Sequence, residues 1–190
     1  MAHTLNKSRL ELTWVGKDER PRLEPRVLVE DPARSYGDSA AENRLIFGDN
    51  LLALKALEQE FSGRIKCIYI DPPFNTGNAF EHYDDGIEHS LWLTLMRDRI
   101  EILHRLLHVT GSLWVHLDDS ESHYCKLMLD EIFGRRNYVT SVIWQKVFAK
   151  KNKALISVSH DYLMVFSKDM DRWDRNTIPR TAEQLESFKN

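Results

Sequence analysis

The chain has 190 residues, enough to bury one core, so it is one domain or part of a larger one. Hydrophobic content of 42% and charged content of 29% are ordinary for a soluble globular protein and exclude a disordered or fibrous class. A net charge of −3 excludes any global attraction for nucleic acid, so such binding needs a local basic patch.

In chain order, residues 1–43 are rich in Arg, Glu and Pro, as in "KDERPRLEPR". They predict an extended, solvent-washed N-terminal arm with one short strand at Val27-Leu28-Val29. From Arg44 the pattern changes, and "RLIFGDNLLALKALEQEF" predicts a short strand, a Gly-Asp turn and a helix through Leu51, Leu54 and Leu57. Asp49 or Asn50 is the expected N-cap, and Ser62-Gly63 the stop. "RIKCIYI" then predicts a strand apolar on both faces, in which Cys67 is a buried thiol. Neither Cys67 nor Cys125 has metal-site spacing.

After a polar loop, "SLWLTLMRDRIEILHRLLHV" predicts a long amphipathic helix through Leu91, Leu95, Ile102, Leu103 and Leu106, with Trp92 as core packing. Gly111 is expected to end it, and "SLWVHL" forms the next strand, with Trp114 in the core. Asp118 and Glu121 have capping-box spacing before the helix "ESHYCKLMLDEIFG". Two strand-like runs follow, "NYVTSVIWQKVF" and "HDYLMVFSK", and residues 169–190 form a polar tail. This alternation predicts an α/β fold, a doubly wound sheet over residues 44–168 with a terminal antiparallel hairpin. No signal peptide pattern and no bilayer-spanning apolar run is seen, so the expected compartment is the cytoplasm.

Doubly wound sheets bind ligands beyond the carboxyl ends of their strands. Three predicted strand ends here are acidic, at Asp49, at Asp71 and at Asp118-Asp119. Asp71-Pro72-Pro73 alone is read equally well as a strand stop, because proline cannot continue a ladder. The longer string Asp71-Pro72-Pro73-Phe74-Asn75-Thr76-Gly77 carries more. Prolines lack an N–H, so the loop offers carbonyl acceptors beside a carboxylate, with Phe74 as a flat stacking surface. Such a set suits the exocyclic amine of a base.

The string resembles the Asp-Pro-Pro-aromatic catalytic motif of amino-methylating DNA methyltransferases. "IFGDNLLALKAL", "LWLTLMRDRI", "GSLWVHLDDSE", "LDEIFGRRNYV", "IWQK" and "HDYLMVFSK" fall in the order of the adenine-N6 branch, which includes the modification subunits of type III restriction systems. The resemblance covers about Trp14 to Trp173 and implies a Rossmann-like, S-adenosylmethionine-dependent methyltransferase sheet. It implies that Asp71 and the Pro72 carbonyl accept from N6 of a flipped-out adenine, that the base stacks on Phe74, and that Pro73 completes the motif. It further implies that Asp49 lies near the cofactor's adenine and that Asn75 and Thr76 belong to a cofactor-side loop. The implied partners are double-stranded DNA, a restriction subunit or a complementing C-terminal half, and a second copy in the full-length family.

Lys146, Phe148, Lys150, Lys151, Asn152 and Lys153 form a basic stretch with an interleaved aromatic, read from charge alone as a solvated hairpin tip. The resemblance turns it into a candidate DNA contact. His116, Asp118, Asp119 and His123, and His82, Asp84, Asp85 and His89, lack a metal-binding frame; no metal is expected, and the implied reaction needs none. The family's glycine-rich turn, Phe-x-Gly-x-Gly, is absent, so the chain resembles a catalytic half whose sheet is incomplete. Alternatives are transfer to cytosine N4 or a glutamine amide, and a DNA- or partner-binding remnant that complements a separate cofactor-binding chain.

Overall fold

The computed structural model describes residues 11–24, 26–38, 40–76, 79–80, 83–84, 88–148, 156–181 and 186. Helix α1 (Asn50–Phe61) starts where Asp49 accepts hydrogen bonds from the N–H groups of Leu51 and Leu52, and stops at Ser62. Strand β1 (Ile65–Ile70) follows, then a two-stranded ribbon of β2 (Ala79–Phe80) and β3 (Tyr83–Asp84). Helix α2 (His89–Leu106) is capped by Glu88 and runs directly into β4 (Leu107–Leu117). Helix α3 (Ser122–Leu129) continues as a wider turn through Gly134, and β5 (Tyr138–Gln145) and β6 (His160–Ser167) complete the sheet.

The sheet order is β1-β4-β6-β5. β1 and β4 are parallel, while β6 runs antiparallel to both β4 and β5. The expected terminal hairpin is therefore present. Because side chains alternate across a strand, the registers divide the sheet into two faces. Ile68, Ile70, Leu113, Val115, Leu117, Met164 and Phe166 share one face and join Trp92, Met96, Ile100 and Met128 in the core. The opposite face stays open toward the carboxyl ends of β1 and β5, with Tyr69 56%, Val142 41% and Trp144 57% exposed. The outer edge of β1 has no strand beside it among the described residues.

That open face and edge explain two departures from expectation. Cys67 is exposed rather than buried, because it lies on the uncovered face of β1. Residues 44–48 form no strand despite their apolar pattern, and Leu45 and Phe47 are fully exposed. A strand needs a ladder partner, and none is present for them among the described residues. The segment is tied instead to α1, where the Arg44 guanidinium grips Glu60 at 2.7 and 3.0 Å. Val27-Leu28-Val29 is likewise irregular and unpaired.

The arm is less solvent-washed than its composition suggests. Leu12, Trp14 and Leu23 pack against the core. The buried Arg97 of α2 donates to the carbonyls of Gly16, Lys17 and Glu19, and Trp14 Nε1 donates to Thr94 Oγ1 at 2.9 Å. Lys17 bridges Glu11 and Glu131. A strap over the helix layer results.

Gly111 does not end α2 but lies inside β4. Ile65 pairs with Leu107 and Cys67 with Ser112, so β4 bulges opposite Lys66. A Cβ on Gly111 would come within 2.8 Å of the Ile65 carbonyl oxygen and 3.0 Å of that of Lys66. Both are backbone atoms that cannot swing aside. Gly111→Ala is expected to destabilise the chain by about 1–3 kcal/mol, read as a lower urea midpoint; an unchanged midpoint would refute this close approach.

His104 adds a pH dependence. Burial, then the Lys168 and Arg105 charges, lower its pKa from 6.5 to about 4. The unfolded ring takes up a proton before the folded one does, so this contribution is complete above 6.5 and is lost as pH falls toward 4. Urea midpoints should drop across that window, and His104→Gln should flatten the drop.

Candidate active site

β1 hands its chain to the loop at Ile70, which lies opposite Val115, so Asp71 emerges beside His116 of β4. The three parallel strand ends and the start of β6 thus bring Asp71, His116, Asp161 and Lys146 to one edge. Asp71 keeps its side chain 60% exposed, with Oδ1 3.8 Å from His116 Nδ1. On the other side of the ring, Nε2 lies 3.5 Å from Oδ2 of the buried Asp161, which pairs with Lys146.

Tyr69 braces His116. Its hydroxyl lies 2.9 Å from Nδ1, and its pKa is raised, by burial first and then by the Asp71 charge, so the phenol stays protonated beside the ring. Phe74 meets the same ring edge-on, with centroids 5.4 Å apart. Asp71, Phe74 and His116 therefore form one surface patch: an exposed carboxylate, an aromatic plate and a held imidazole.

The loop between them is pinned on both sides of Phe74. Trp92, fully buried in α2, donates its indole N–H to the Pro73 carbonyl at 2.8 Å. That bond ties the Pro73 carbonyl to the core and makes Trp92 more than core packing. Beyond Phe74, Asn75 takes a left-handed backbone with φ 58°, and its Nδ2 donates to Glu121 Oε1 at 2.5 Å. His89 Nδ1 lies 2.8 Å from the same oxygen.

Asp71, Pro72, Pro73, Phe74, Asn75 and Thr76 are thus contiguous at the sheet's carboxyl edge. Asp49 is not delivered there by a strand; it is an exposed N-cap whose Oδ1 takes both α1 bonds. The Asp118–Glu121 capping box does not form. Asp118 accepts from Ser120 N–H, and Glu121 makes no capping bond because its side chain turns inward. Lys146 is committed to Asp161, and Phe148 is 89% exposed. Lys150, Lys151, Asn152 and Lys153 lie outside the described residues, as does Gly77. Sequence reasoning did not assign Trp92, Glu121, His89, His116 or Asp161 to the site. Their spacing signals helix core, cap or solvated loop, and only the strand register brings them together.

A cavity of about 320 Å³ between the strap and the helices, lined by Trp14, Lys17, Arg97 and Met128, shares no residue with this loop.

A mixed sheet with helices packed on it and an acid–proline loop at the carboxyl ends of β1 and β4 is an α/β layout. The profile of the N6/N4 family described as DNA methylase matches residues 65–190, and the chain belongs to that family. It is 36% identical over 179 residues to the HindVI Mod subunit of a type III restriction-modification enzyme from Haemophilus influenzae, covering 92% of this chain and 24% of that protein. It is 30% identical over 204 residues to the EcoP15I Mod subunit from Escherichia coli, covering 88% and 32%. The chain therefore spans about a quarter to a third of the length of these relatives. Among solved structures it is similar to the cytosine-N4-specific PvuII DNA methyltransferase, with a TM-score of 0.47, 17% identity, and 66% and 48% of the two chains covered.

Trp92→Phe tests the first pin. It retains most of the packing but leaves the Pro73 carbonyl without its donor, at a cost of about 1–3 kcal/mol. A lower urea midpoint is expected, together with altered signals from Phe74; an unchanged midpoint would refute the bond.

Proposed function

We propose that this chain is the catalytic part of an S-adenosylmethionine-dependent DNA methyltransferase that acts on N6 of a flipped-out adenine. The observation that carries this reading is the rigid Asp71–Phe74 loop, with the Asp71 carboxylate exposed and Phe74 beside it. The Pro73 carbonyl is held by Trp92, and the Pro72 carbonyl and Asp71 are the acceptors proposed for an amine. Both draw on the amine N–H groups and turn the nitrogen lone pair toward an electrophile, while Phe74 supports the ring. The amine releases one proton as the new N–C bond forms, and Asp71 stands where it can receive it. Bound S-adenosylmethionine supplies the methyl electrophile.

The described residues fit one wall of a cofactor site. Asp49 keeps Oδ2 outside its capping bonds, in solvent, where it suits a hydroxyl or amine donor. Asn75 is held by Glu121 and gives the cofactor-side loop a fixed start. No glycine-rich turn stands opposite them in the sequence. The edge of β1, which has no strand beside it among the described residues, and the exposed strand-like segment at Leu45 and Phe47 support completion by further strands, from a C-terminal part or a separate chain. Double-stranded DNA is the proposed substrate, with Phe148 and the basic residues through Lys153 as a contact. A restriction subunit, a second copy and the cytoplasm complete the proposal.

Two measurements test it. Calorimetric titration of the 190-residue chain with S-adenosylmethionine should show weak binding or none; tight, stoichiometric binding would overturn the one-walled site. In a transfer assay with the chain complemented by the remainder of the HindVI Mod subunit, Asp71→Ala should abolish incorporation of labelled methyl into DNA. Retained incorporation would remove Asp71 from the mechanism.

A further inference from the structure

Glu121 is an unusual residue to bury. It begins the turn into α3 yet makes no capping bond, and it is only 2% exposed. Asn75 Nδ2 and His89 Nδ1 both meet Oε1, while Oε2 is buried with no hydrogen-bond partner among the described residues. A carboxylate so placed loses hydration that a cap position would have kept, and half of its accepting capacity goes unused. A merely structural role in α3 would not require this.

What it holds is informative. Asn75 sits at φ 58°, a left-handed conformation that Asn adopts more readily than other residues bearing a Cβ, and its side chain is held there by Glu121. Asn75 follows Phe74 directly. With Pro73 fixed by Trp92 on the near side, the Glu121 bond on the far side determines the direction in which Phe74 leaves the chain. His89 holds Glu121 from α2 and is itself braced edge-on by Tyr124 of α3, with centroids 4.3 Å apart. One oxygen therefore links the starts of α2 and α3 to the loop.

We propose that Glu121 is a positioning residue that clamps Asn75 and thereby presets the Phe74 plate against His116 before any ligand arrives. Its relevance to an incoming base rests on the methyltransferase reading; the clamp itself does not. The geometry makes a sharp distinction among substitutions. Glu121→Gln keeps one oxygen for both donors and places its amide NH2 where Oε2 accepts nothing, so the clamp survives. Glu121→Leu keeps the volume and loses the clamp. Asn75→Gly removes the other half of the bond and accepts the left-handed backbone without strain.

The test is NMR on the full chain, reading the Asn75 side-chain amide signal and the cross-peaks between the Phe74 and His116 rings. Wild type and Glu121→Gln should share a shifted Asn75 signal and strong ring cross-peaks. Glu121→Leu and Asn75→Gly should lose the cross-peaks while the core signals persist. Should Glu121→Leu fail to fold, Asn75→Gly decides alone. Ring cross-peaks retained in folded Asn75→Gly would overturn the proposal, as would a loss in Glu121→Gln equal to that in Glu121→Leu. No methyl transfer is read, so failure of the methyltransferase reading would show in the transfer assay and leave this outcome separate.

Discussion

The bond from the buried Trp92 indole to the Pro73 carbonyl, 2.8 Å long, joins the hydrophobic core to the Asp71–Phe74 loop. Trp92 lies at the centre of the packed face, among Met96, Ile100 and the inward strand residues, and is fully buried. Its N–H must find an acceptor there, and Pro73 provides one. The prolines contribute no N–H groups that would compete with one another for these carbonyls. Core packing and loop geometry are thus coupled: shifting α2 shifts Pro73, and with it Asp71 and Phe74.

The rest of the site follows from strand order. Parallel β1 and β4 align Asp71 with His116, and the reversed β6 starts where β4 ends, which brings Asp161 behind the imidazole. A bulge at Gly111 sets the register on which this alignment depends. The uncovered side of the sheet is a consequence of the same plan. Tyr69 and Trp144 are exposed because α1, α2 and α3 pack on the other face, and Tyr69 still contributes through its contact with His116.

Much of the fold was legible in the sequence because it rests on local signals. The Asp49 cap, the α1 and α2 periodicities, and the β5–β6 hairpin all appear where residue patterns place them. The failures share one cause, which is that burial depends on neighbours absent from the local pattern. Residues 44–48 and 27–29 have strand composition but no ladder partner, and Cys67 has apolar neighbours in sequence but an open face in space. Within the candidate site, the Asp71–Phe74 loop was legible as the end of a strand, because proline cannot continue a ladder. Glu121 was not, since its spacing from Asp118 imitates a capping box while its side chain turns to Asn75. His116 and Asp161, forty-five positions apart in sequence, meet only through β4–β6 pairing.

The central claim is that this chain presents an acceptor surface for one exocyclic amine, that of adenine. The most direct measurement is nucleoside mass spectrometry of DNA methylated by the chain after complementation with the remainder of the HindVI Mod subunit. N6-methyladenine as the sole new nucleoside is the predicted result. N4-methylcytosine, or no methylated base when complementation restores a folded complex, would contradict the account.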